Sequence, residues 1–199
     1  MTSRVRLARG PLVLIMMITM IALQFTFPLE AMMVWPPLLI VIIAKRLYQQ
    51  EIRGYDWKSL KSGSFWEATM FALTQGAIAQ AVGIVIVMYG FNIAQPQVSF
   101  GLTPFIAVTS VLLSPIVEEL VFRKIIFSAL LRYTGYWPAA AISSVLFAMA
   151  HYNYAASLGY FLLGMVWCRM YNKTKNLGVV IVAHILFNAA AMLMMAVRG

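Results

Sequence analysis

The chain has 199 residues, of which 62% are hydrophobic and 11% charged, with a mean hydropathy of +0.84. Soluble domains average about 45–50% apolar and about 25% charged residues, so this composition excludes an ordinary soluble domain, and it equally excludes disorder. The net charge of +9 would suit nucleic acid if it formed one patch, but the basic residues are spread along the whole chain.

Uncharged runs over 10–29, 31–44, 68–117, 133–168 and 176–197 set the class. A span needs roughly 20 apolar residues, so the 50-residue run 68–117 holds two, joined by 92–101. The expectation is an all-α protein, a polytopic transmembrane helical bundle of about 6–8 membrane helices. It forms a single integral membrane domain over 1–199.

In chain order, the first span covers 11–27 and closes in a turn at 28–30. The run is long and lacks a small-residue cleavage pattern, so it reads as a retained span rather than a signal peptide. The second, 31–47, carries Pro36-Pro37 and is expected to kink or enter at a slant. Residues 48–64 are polar, with Tyr55 and Trp57 suited to an interface. Further spans are expected at 65–91, 102–131, 137–151, 155–171 and 177–197.

The basic residues fall at alternate connections: Arg4, Arg6 and Arg9 before the first span, Lys45 to Lys61 after the second, Arg132 after the fourth, and Arg169, Lys173 and Lys175 after the sixth. Residues 92–101 carry no charge. This is the positive-inside pattern, which makes the protein multi-pass with a cytoplasmic N-terminus, in the plasma (inner) membrane if the cell is prokaryotic. The charge therefore reads as topology, and no nucleic-acid partner is expected. A lone Cys168 allows no internal disulfide and is expected to pack within a helix.

Only six acidic residues occur, and two, Glu118 and Glu119, are adjacent inside the fourth span. A charge at the bilayer centre costs at least about 2.5–3.5 kcal/mol, and intramembrane ionisable residues are functional by default. Residues i and i+4 share a helix face, so Arg123 is expected to pair with Glu119. Glu118 lies about 100° around the helix and is left free to work. The bland alternative is that both carboxylates merely pin helices together.

The chain's two histidines, His151 and His184, also lie in apolar spans, and Asn188 shares a helix face with His184. Each alone would read as a hydrogen-bonded core residue. Together with Glu118 they make a chemically complete set. A carboxylate beside an imidazole can take a proton from water, while a second histidine and an asparagine amide can donate to the oxyanion that water attack creates on a peptide carbonyl.

Other hydrolase chemistries fail by inventory. The single aspartate, Asp56, lies outside the spans, neither histidine belongs to a His-Glu-x-x-His motif, and no Gly-x-Ser-x-Gly elbow is present. Glu118, His151 and His184 are the ligand set should zinc or another divalent metal be bound, leaving one position open. Glutamate-activated water, with no cofactor, is the more economical reading.

Glu118-Glu119-x-x-x-Arg123, Phe147-x-x-x-His151 and His184-x-x-x-Asn188 occur in this order on successive late helices. They resemble the three motifs of the CPBP family, the CAAX-protease and bacteriocin-processing intramembrane endopeptidases, also called the Abi family. The match covers about 115–190, within a CPBP-like catalytic core over 102–197. The resemblance implies an all-helical intramembrane protease in which Glu118 and His151 activate water while His184 and Asn188 stabilise the oxyanion. It implies that Arg123 supports the site through Glu119 and that Phe147 packs beside it. Substrates would be membrane-anchored or lipidated: a CaaX-like tail, a leader or a C-terminal sorting peptide.

Two readings from another class stand beside this one. A non-catalytic scaffold, regulator or immunity protein derived from the protease fold would keep the same motifs. A proton-coupled carrier would also bury Glu and His, but the paired repeats expected of one are missing. One geometric demand remains. At 1.5 Å per residue, His151 falls about 21 Å along its span and His184 about 10 Å along its own. The groups therefore meet only if helices tilt or spans five and six form a shallower pair.

Overall fold

A computed structural model describes residues 57–94, 104–151 and 153–198, with Ile15, Ile42, Lys45 and Arg46. The expected spans at 11–27 and 31–47, the turn at 28–30 and most of the polar segment 48–64 lie outside the described residues. Among the described residues every regular element is helical and no strand occurs.

A short 3-10 turn, Trp57–Lys61, leads into α1, Gly63–Gly90, which is α-helical to Val85 and π-wound over Ile86–Gly90. Ser62 caps it, its Oγ accepting the Phe65 amide at 3.2 Å. The second helix, α2, runs over 104–134 without a break but changes winding along its length. It is π-wound over Thr109–Leu113, α-helical over Ser114–Glu118 and π-wound again over Glu119–Phe127. Gly135, at φ 80°, turns the chain into α3, Tyr136–Met149. That positive φ is a conformation an L side chain resists.

Asn153 caps a 3-10 turn, Tyr154–Ala156, which opens α4, Ser157–Thr174. Lys175 ends α4 in the left-handed conformation (φ 54°), and Asn176 Oδ1 accepts the Gly178 amide at 2.9 Å as α5, Leu177–Arg198, begins. The five helices follow the expected spans to within three residues at each end.

Two of them, Gly63–Gly90 and Leu177–Val197, are long and apolar enough to cross a membrane. The other three differ for physical reasons. Charges at Glu118, Glu119, Arg123 and Lys124 interrupt α2, and Arg169 and Lys173 lie on α4. The 14 residues of α3 reach about 21 Å, short of a hydrocarbon core of about 30 Å.

Helix α4 lies between α1 and α3, while α5 packs on α1 and α2, and α3 covers the π-wound part of α2. The approach of α1 to α4 is backbone on backbone. A Cβ on Gly83 would overlap the Gly159 backbone, and one on Gly159 would stand 2.8 Å from the Gln80 carbonyl oxygen. The core around the site is aromatic: Phe122, Phe147 and Trp167, with Leu163, Val180 and Ala183, are all buried. Cys168 is buried within α4.

Candidate active site

The π-wound segment of α2 carries the charges. Glu119 and Arg123 are both fully buried, with Nη1 of Arg123 3.1 Å from Oε1 of Glu119. No guanidinium N–H is aligned as a directed hydrogen bond, so the contact is one of charges. The guanidinium also lies against aromatic faces, Cζ standing 4.4 Å from the Phe147 ring centroid and 5.3 Å from that of Trp167. Ring quadrupoles supply part of the stabilisation that water would otherwise give the cation. Such a pair adds little net stability, but leaving one member alone is costly.

Glu119 has a second partner. His184 Nδ1 lies 2.9 Å from the same Oε1 and hydrogen-bonds to it, tying α5 to α2. Trp167 covers the imidazole, with ring centroids 4.2 Å apart. With Nδ1–H donated to Glu119, His184 turns Nε2 the other way, 3.7 Å from Glu118 Oε2.

His151 reaches that same oxygen from the opposite side, its Nε2 at 3.8 Å. It sits just beyond the last residue of α3, where Nδ1 donates to the Phe147 carbonyl at 2.8 Å. A carbonyl oxygen can only accept, so His151 carries a proton on Nδ1 and turns Nε2 towards Glu118. The Tyr160 ring stacks on the imidazole, with centroids 3.9 Å apart and planes 24° from parallel. Phe147 meets both sides of the site, its ring edge-on to His151 at 4.6 Å and to His184 at 6.2 Å.

Glu118, one residue before Glu119, is therefore aimed at both imidazoles while Glu119 is aimed at the core. Its side chain keeps 24% of its surface exposed, against none for Glu119. Gaps of 3.7–3.8 Å are too long for direct hydrogen bonds, and Glu118 Oε2 is itself buried without a hydrogen-bond partner. The offset along the two helices does not keep the groups apart, since His151 and His184 converge on one oxygen.

Asn188 is placed differently. One turn beyond His184, its Nδ2 donates to the Ser110 carbonyl of α2 at 2.9 Å. One N–H of the amide is thus held by the backbone, leaving the second N–H and Oδ1. Among the described residues no three His, Cys, Asp or Glu side chains are gathered into a cluster able to hold a metal ion. A tetrahedral site with bonds of about 2.0–2.2 Å sets its ligand atoms roughly 3.3–3.6 Å apart, a few tenths of an ångström less than the 3.7 and 3.8 Å between Glu118 and the two imidazoles.

Four site neighbours carry no sequence signal of their own. Tyr160 supports His151, Trp167 covers His184 and Arg123, Ser110 anchors Asn188, and Ser143 Oγ donates to the Phe122 carbonyl at 2.8 Å.

The sequence profile of the type II CAAX prenyl endopeptidase Rce1-like family matches residues 100–190, the stretch that holds all of these groups. Among curated relatives, the protein named "Putative membrane peptidase YdiL" of Bacillus subtilis (strain 168) is 28% identical over 160 residues, covering 78% of this chain and 66% of that protein. "Membrane-embedded CAAX protease MroQ" of Staphylococcus aureus (strain USA300) is 36% identical over 83 residues, covering 39% of this chain and 34% of that protein. The chain thus matches just under two thirds of the first relative's length and about a third of the second's. No solved structure matches significantly. Three motifs in order, a family profile across residues 100–190 and two membrane-peptidase relatives make the chain similar to the CPBP family of membrane proteins.

Proposed function

We propose that the protein is an intramembrane endopeptidase that hydrolyses a peptide bond of a membrane-anchored or lipidated substrate. One observation carries this reading: Glu118 Oε2 stands 3.8 Å from His151 Nε2 and 3.7 Å from His184 Nε2, inside an apolar helical protein. In this reading a water held among these atoms attacks the scissile carbonyl carbon. Glu118, with His151 beside it, takes the proton released as the new C–O bond forms.

The resulting oxyanion is met by Asn188, through its remaining N–H, and by His184. Because Nδ1–H of His184 is committed to Glu119, Nε2 donates only when the ring is an imidazolium, and Glu119 is then its counter-ion. Collapse of the tetrahedral intermediate breaks the C–N bond, and the proton on Glu118 passes to the departing amine. Arg123 holds Glu119, and Phe147 holds the carbonyl that fixes His151. Every step uses the chain's own groups.

The chain is multi-pass with its N-terminus in the cytoplasm, and its substrate enters from the membrane plane. The family description points to a prenylated C-terminal tail as the first substrate to try. The test is cleavage of a fluorogenic farnesylated Cys-aliphatic-aliphatic-X peptide, alongside unmodified leader and sorting peptides, by protein reconstituted in liposomes. Cleavage within one of these classes supports the reading. Binding without cleavage of any would favour a scaffold or regulator built on the protease fold.

A further inference from the structure

Pro115 precedes the glutamate pair by three residues and is buried. In a helix, proline ordinarily acts as a bending residue. Its position in the hydrogen-bond ladder gives it a second consequence. Over Thr109–Leu113 the helix is π-wound, and the Ser114 amide donates to the Thr109 carbonyl, five residues back. The next rung of that ladder, from the amide of residue 115, would reach the Ser110 carbonyl where π winding continues and the Val111 carbonyl where the α winding of Ser114–Glu118 has begun. Proline has no N–H, so this rung cannot form. The Ser110 carbonyl instead accepts Nδ2 of Asn188 from α5 at 2.9 Å.

We infer that Pro115 is a positioning residue for Asn188: by withholding its own amide proton it frees the Ser110 carbonyl, which fixes the plane of the Asn188 amide. A side-chain amide has two donors on one nitrogen and an acceptor oxygen in the same plane. Once one N–H is held, the directions of the other N–H and of Oδ1 follow. An asparagine without this tie would rotate about its side-chain torsions, and a donor aimed at a developing charge must be set before the reaction begins. The tie also joins α5 to α2 one turn beyond the His184–Glu119 hydrogen bond, so the two residues are oriented from the same helix. That the fixed amide serves peptide hydrolysis rests on the function proposed above; the tie itself does not.

The decisive variant is Pro115→Ala, which supplies the missing amide proton. Alanine is also the better helix former, so thermal stability should hold or rise while the function falls. A merely structural proline would not behave so. The chain has five asparagines, and Asn188 can be assigned in a spectrum of 15N-asparagine-labelled full-length protein in lipid nanodiscs by loss of its signal in Asn188→Ala. In the wild type the Asn188 Nδ2 protons should exchange with solvent much more slowly than those of Asn172. In Pro115→Ala their exchange should quicken by about tenfold or more as the Ser110 carbonyl is drawn back into the helix ladder.

Unchanged exchange in the folded variant would overturn the inference. Were Pro115→Ala not to fold, wild-type exchange at Asn188 as fast as at Asn172 would overturn it equally. With the farnesylated peptide as probe, Pro115→Ala should lower kcat about tenfold or more at unchanged KM. The same substitution made in Asn188→Ala should have no further effect, and additive losses would contradict a role exerted through Asn188. If wild-type protein leaves the peptide intact, the protease reading fails on that substrate, while the exchange measurement still decides the role of Pro115.

Discussion

Oε1 of Glu119 accepts the Nδ1 proton of His184 across 2.9 Å, joining two residues 65 positions apart in the chain. The same oxygen lies 3.1 Å from Arg123, so one buried carboxylate sets both a cation and the orientation of an imidazole. The arrangement of Glu118 and the two Nε2 atoms beside it depends on that buried pair holding its shape.

Replacing Glu119 should therefore act on folding as well as on turnover. Glu119→Gln leaves Arg123 without its counter-charge in a fully buried position, and breaking such a pair costs about 3–5 kcal/mol. The expected result is a marked fall in the thermal midpoint in detergent, with cleavage lowered in the fraction that stays folded. A variant as stable as wild type would show that the pair is not the anchor described here.

Tyr160 should matter through the face of its ring and not through its hydroxyl. Stacked on His151 at 3.9 Å, it limits the rotation of an imidazole otherwise held at one nitrogen. Tyr160→Phe should keep wild-type kcat, whereas Tyr160→Leu should lose about tenfold in kcat with KM unchanged. Equal activity of the two variants would remove Tyr160 from the account.

The α1–α4 crossing predicts a steric effect remote from the chemistry. Gly159→Val puts a Cβ 2.8 Å from the Gln80 carbonyl oxygen, which is backbone and cannot move aside. Separating the helices should cost about 1–3 kcal/mol, read as a lower melting temperature, and should carry the neighbouring Tyr160 off His151. Retained stability would mean that the crossing is looser than its backbone contact implies.

Metal removal is a direct check on the water-activating groups. With Glu118, His151 and His184 carrying the reaction themselves, cleavage should be unchanged after treatment with a strong chelator and unaffected by added zinc. Loss of activity on chelation, restored by one divalent metal, would recast the same three residues as ligands.

Much of the site was legible because polar residues are rare in this chain. Six acids and two histidines leave few combinations, and i, i+4 spacing alone placed Arg123 on Glu119 and divided the two glutamates between core and cavity. The helix at 177–198 followed from the uncharged run 176–197, whereas the one at 63–90 contains Glu67 and ends inside the uncharged run 68–117, so uncharged length alone set neither of its limits. What could not be read was pairing across helices. Nothing in the spacing says that His184 reaches Glu119, that Tyr160 covers His151, or that Asn188 bonds a backbone oxygen. Those contacts depend on how α4 and α5 turn against α2. The change to π winding at Glu119 is likewise set by packing, since apolar periodicity over so short a stretch does not separate it from α winding.

The central claim is that Glu118 activates the attacking water, and the most direct test is the turnover of Glu118→Gln beside wild type on the same reconstituted substrate. Glutamine is nearly the same size and keeps the fold, but it cannot accept the proton. The account predicts loss of at least about 10²-fold in kcat with an unchanged melting temperature. A folded Glu118→Gln protein that cleaves at near the wild-type rate would contradict it.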